Sequence, residues 1–64
     1  MSFSNKLIQT RLKQGLTQKQ LAKLIGVSIR TYKKYETGVT LPKITTIRKI
    51  VIALETTADE LLEL

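Results

Sequence analysis

In the segment "SIRTYKKYETG", residues 28–38, helical spacing of about 100° per residue puts Arg30, Lys33, Lys34 and Thr37 on one side and Tyr32, Tyr35 and Ser28 on the other. The first group consists of three cations and a hydroxyl. Arginine offers a planar fork of donors and lysine a mobile point charge, and both suit anionic oxygen. The chemistry on offer is recognition of a polyanion. The competing reading of such a ridge is a solvated helix face.

The rest of the chain contains little that could do other chemistry. Its 64 residues include no Cys and no His. That removes disulfides, Cys/His zinc sites and imidazole acid–base catalysis. There is no phosphate-cradling Gly loop, and the basic body has no paired carboxylates, so an enzyme is not expected. No cofactor or metal is expected either. The formal net charge is +6, unevenly spread. Residues 1–54 hold all 11 Lys and Arg and a single acid, Glu36, whereas residues 55–64 hold Glu55, Asp59, Glu60 and Glu63. Such a basic body points to nucleic acid or an anionic membrane surface. No helix pairs a basic face with a broad exposed apolar one, which weakens the membrane alternative. No stretch reads as a membrane span, and "MSFSNK" lacks the apolar run of a signal peptide. A cytoplasmic location is expected.

Apolar residues recur at helical spacing almost throughout, and no run alternates like a strand. The expected helices are about 4–14, 17–24, 28–36, 43–54 and 58–63, forming an all-α, compact five-helix domain over residues 1–64. The first carries Leu7, Ile8 and Leu12 on one face with Arg11 among them, Ser4 as N-cap and Gly15 past its end. The second opens on the capping-box pair Thr17 and Gln20, buries Leu21, Leu24 and Ile25, and stops at Gly26. The third turns Tyr32 and Tyr35 inward and ends at Gly38. Pro42 precedes the fourth, whose apolar sector is Ile44, Ile47, Ile50, Val51 and Leu54. A second capping box, Thr57 with Glu60, opens the fifth.

Only a few residues around Gly26 separate the second helix from the third. Two helices crossing at about 90–120° over a Gly turn fit this spacing. A plain helical hairpin would use the same glycine. The basic ridge on the helix after the turn favours the first arrangement and a duplex DNA partner.

With these features in place, Leu7–Leu62 resembles the helix-turn-helix domain of lambdoid phage repressors and Cro proteins, the XRE family. The resemblance rests on Gln18, Ala22, Gly26, Val27, Tyr32 and Tyr35 in order, with "GLTQKQLA", "YETG" and "ALETTADELL" in support. It implies a lambda repressor-like fold and a bacterial or phage-encoded transcriptional regulator, most simply a repressor. It implies base contacts from Ser28, Ile29, Arg30 and Lys34, with Arg30 best suited to guanine O6 and N7. Phosphate contacts would come from Thr17, Gln18, Lys33, Thr37, Thr40 and Lys43, with Gln18 also bracing the third helix. Arg11 and Glu36 match an internal ion pair. The chain departs from the family at Ile29, a place often held by a polar base-reader, at Glu55, where glycine usually ends the fourth helix, and at Lys43, which replaces a small cap.

One such domain reads few bases, so a homodimer on a two-fold operator is expected. Ile52 should be exposed and, with Leu61 and Leu64, could form a self-complementary patch. The alternative of a different class is a protein-interaction module, such as an antitoxin or co-activator domain of the same fold. The basic face would then meet an acidic protein.

Overall fold

Left-handed turns at Gly15, Gly26, Gly38 and Glu55 set the path of the chain. The computed structural model describes residues 3–62, which form five helices: α1 (Phe3–Lys13), α2 (Gln18–Ile25), α3 (Ile29–Thr37), α4 (Ile44–Ala53) and α5 (Ala58–Leu62). After α2, Gly26 enters the left-handed region at φ 76°. Its N–H then bonds the Lys23 carbonyl at 3.2 Å, and the Val27 N–H bonds that of Ala22 at 3.1 Å. This closure satisfies carbonyls that the helix end would otherwise leave open and reverses the chain sharply. Gly15 ends α1 in the same conformation.

The α4 turn makes the same pair of bonds without a glycine. Glu55 N–H reaches the Ile52 carbonyl at 3.2 Å and Thr56 N–H that of Val51 at 3.1 Å, with Glu55 held at φ 53°. The turn is therefore strained, not lengthened. A left-handed L-residue costs about 1–2 kcal/mol, and glycine returns part of that gain as unfolded-chain freedom. Glu55→Gly should stabilise the domain by about 0.5–1 kcal/mol in a urea melt, whereas Glu55→Ala should not.

The helix starts explain the remaining boundaries. Thr17 and Gln20 form a complete capping box, with bonds of 3.0 and 2.8 Å. At α5 only half of the expected box forms. Glu60 N–H bonds Thr57 Oγ1 at 3.1 Å, but the Glu60 carboxylate takes the Thr56 hydroxyl instead. Helix α1 begins at Phe3, so Ser4 lies inside its first turn and is not the cap. Lys43 precedes α4 with no side-chain bond to it.

The core unites all five helices. Leu7, Leu21, Ala22, Ile25, Tyr32, Tyr35, Ile50, Leu54 and Leu61 are buried, with the tyrosine rings edge to face at 6.2 Å. Helix α2 packs on α3 and α4, and α1 packs on α3 and α5. Several residues expected in the apolar stripes fall outside the core. Leu12, Leu24 and Ile44 are each 60% or more exposed. Leu12 lies about 140° around α1 from Leu7, beyond the reach of α3 and α5. Leu24 similarly flanks the face of α2 that Leu21 and Ile25 bury. Leu61 is wholly buried where α5 meets α1 and α4. It cannot serve a surface patch, which corrects that expectation. Leu64 lies outside the described residues.

Candidate nucleic-acid interface

Helix α3 divides cleanly. Tyr32, Tyr35 and Glu36 are buried, while Ile29, Arg30, Lys33, Lys34 and Thr37 are exposed. Ser28 sits on neither expected side as a packing residue. It is exposed and caps the helix, its Oγ accepting from Thr31 N–H at 3.1 Å and donating to Thr31 Oγ1 at 3.0 Å. One lone pair remains for an outside partner, so Ser28 can accept but has no donor to spare. The Thr37 hydroxyl bonds the Lys34 carbonyl at 3.3 Å. Thr40 and Lys43 are exposed on the segment between α3 and α4. Thr17 and Gln18 stand at the head of α2, where the first intrahelical bond is Leu21 N–H to the Thr17 carbonyl.

Behind this face lies a buried polar cluster that ties three helices together. Arg11 of α1 forks onto Glu36 of α3, Nε to Oε2 at 2.6 Å and Nη2 to Oε1 at 3.3 Å. Its Nη1 bonds the Leu16 carbonyl at 2.8 Å. Gln18 of α2 donates Nε2 to Glu36 Oε1 at 2.9 Å, and the Tyr32 hydroxyl donates to Oε2. The carboxylate thus accepts four bonds, as many as its lone pairs allow. Among the described residues no buried side-chain N or O lacks a partner.

Arg11 and Glu36 therefore meet as the resemblance implies. The Tyr32 bond had not been expected; the brace from Gln18 to the third helix is the one the resemblance implies, but with Glu36 as its partner. Tyr32 stands one helical turn before Glu36, and that i, i+4 spacing was the available signal. For Gln18 the resemblance was the only signal, because its partner lies 18 residues away and no local spacing points to it.

Burial alone would raise the Glu36 carboxyl, but hydrogen bonds from Arg11, Tyr32 and Gln18 outweigh it and hold the group below the usual carboxylate range. The Arg11 guanidinium is raised in turn by its bond to Glu36. Tyr32 is raised, first by burial and then by the adjacent carboxylate, and stays neutral. A carboxyl more acidic in the folded chain than in the unfolded one adds stability above the ordinary value of about 4.3. That stability drains away as pH falls through the folded value. Thermal melts should show an acid limb below about pH 4, and Glu36→Gln should lack it.

The inward turn of Glu36 also sets the field outside. The only acid among residues 1–54 is spent against Arg11, so nothing on α3 offsets Arg30, Lys33 and Lys34. The second helix of the α2–α3 pair is therefore basic on its outward face, and the comparison with known proteins bears on the pair itself. A helix-turn-helix family model matches residues 7–61.

The chain belongs to the helix-turn-helix family of the Cro/C1, or XRE, type.

This helix-turn-helix domain is 43% identical over 61 residues to the cryptic phage CTXphi transcriptional repressor RstR of Vibrio cholerae serotype O1, covering 95% of this chain and 54% of that protein. It is 40% identical over 48 residues to a second RstR from Vibrio cholerae, covering 75% of this chain and 43% of that one. The chain thus spans about half the length of the curated relatives it matches. No solved structure matches it. Among the described residues no cluster of acids could hold a metal ion, and no helix is long and apolar enough to cross a membrane.

Proposed function

We propose that this domain binds double-stranded DNA sequence-specifically as a phage-type transcriptional repressor, with α3 in the major groove. The observation that carries the proposal is the exposed ridge of Arg30, Lys33 and Lys34, backed by a helix whose own acid is turned inward and neutralised. The similarity to RstR supports it. Arg30 and Lys34 read base edges, Ile29 meets a thymine methyl, and Ser28 accepts one bond. Thr17, Gln18, Lys33, Thr37, Thr40 and Lys43 grip the sugar-phosphate backbone and set the register.

Two copies bind a palindromic operator on half-sites about 34–36 Å apart. The contact surface is the apolar face of α4, where Ile44, Ile47, Val51 and Ile52 line a shallow groove beside Arg48. Ile52 is 77% exposed there.

Salt titration tests the reading. Log affinity for a duplex should fall linearly with log salt, with a slope of about −0.9 for each phosphate neutralised. A flat salt response, with equal affinity for all duplexes, would favour a protein-interaction module instead.

A further inference from the structure

We propose that Glu36 is a positioning residue for the DNA backbone, acting through the Gln18 amide; the inference rests on the phosphate contact of Gln18 given above. A carboxylate only accepts hydrogen bonds, so it can face the amide nitrogen of Gln18 and never its oxygen. The 2.9 Å bond from Nε2 to Glu36 Oε1 therefore fixes which way the amide is turned. One Nε2 hydrogen is committed to Glu36. The other is left for an anion at the head of α2, beside the amide N–H groups of the first turn.

Glu36 can do this because it is itself immobile. Arg11 holds both of its oxygens and Tyr32 one of them. A free glutamine loses rotamer freedom when it grips a ligand, whereas one already tethered has lost it on folding. Arg11 has a second effect at the same place. Without it, an uncompensated carboxylate would stand one hydrogen bond from an incoming phosphate and repel it. The carboxylate that ties α3 to α1 thus also presets the phosphate grip of α2.

A double-mutant cycle on duplex affinity tests this, using a mixed-sequence duplex of about 20 base pairs, long enough for two half-sites. Measurements are made at a temperature where circular dichroism shows every variant folded. Gln18→Ala should weaken binding by about tenfold, as loss of one charge-assisted bond does. Glu36→Gln should weaken it in the parent chain but not in the Gln18→Ala background. Lys33→Ala, whose contact does not touch Glu36, should add in full to Glu36→Gln and so controls for loss of stability.

Full additivity of Gln18→Ala and Glu36→Gln would overturn the proposal while leaving the phosphate contact standing. No effect of Gln18→Ala would overturn both, and failure of the parent chain to bind any duplex would overturn the functional reading itself. Should Glu36→Gln fail to fold, side-chain amide NMR of the parent chain decides. One Gln18 Nε2 hydrogen should keep its hydrogen-bonded shift on DNA binding while the other moves. Two hydrogens moving together would overturn the assignment.

Discussion

Arg11→Leu should destabilise the domain by about 3 kcal/mol or more, the usual result of removing one partner from a buried ion pair. The Glu36 carboxylate would keep the Tyr32 hydroxyl and the Gln18 amide. It would lose the fork that neutralises it, and the Leu16 carbonyl would lose its donor. A chain of 64 residues has a total stability of roughly 3–10 kcal/mol, so the variant should be largely or marginally unfolded near 37 °C. At about 4–8 °C per kcal/mol, its melting midpoint should drop by at least 12 °C or so. Changing both partners to leucine should recover part of the loss, because an apolar pair leaves no buried charge unpaired. Urea melts with an unchanged m-value would confirm that stability alone has moved. An Arg11→Leu variant within about 0.5 kcal/mol of the parent would show that the cluster is not what holds α1 against α3.

Arg30→Ala should leave the fold intact, since the side chain is exposed and on the helix face away from the core. Its effect falls on recognition. A bidentate contact to guanine is worth about 1–3 kcal/mol of discrimination, so affinity for the preferred duplex should drop by roughly 5- to 150-fold. Affinity for unrelated duplexes should fall far less, and preference at one base pair of each half-site should relax. Lys33→Ala should behave oppositely. It should weaken all duplexes alike and reduce the salt slope by about one unit. Equal losses on all sequences for Arg30→Ala would reassign that side chain to the backbone.

The sequence exposes those features that depend on neighbours along the chain. The Thr17–Gln20 box, the left-handed turn at Gly26 and the two-sided third helix all follow from residues within a turn or two of each other. Among the described residues the inner helix limits, from the end of α1 to the start of α5, lie within one residue of those expected, for the same reason. The misplacements arise where a second helix decides. Periodicity shows that Leu12 and Leu24 flank apolar stripes, but not how far the facing helix extends over them. Leu61 and Leu62 both read as apolar tail residues, and only the meeting of α5 with α1 and α4 selects Leu61 for burial. Ile52, about 200° around α4 from Ile50, was legible as exposed because no neighbour could reach it. In the polar cluster the ion pair came from family resemblance. The convergence of Gln18 and Tyr32 on the same carboxylate required the packed structure, since α2 and α3 must first turn at Gly26 to bring them together.

The central claim is that the outward face of α3 reads a DNA sequence. Binding selection from random duplexes at fixed salt tests it most directly, because site, symmetry and spacing emerge from one experiment. The expected result is an enriched two-fold motif, with half-sites about one helical turn apart and a guanine in each that loses its enrichment when Arg30→Ala is selected in parallel. A pool that stays random through successive rounds, although the protein is folded, would contradict the account.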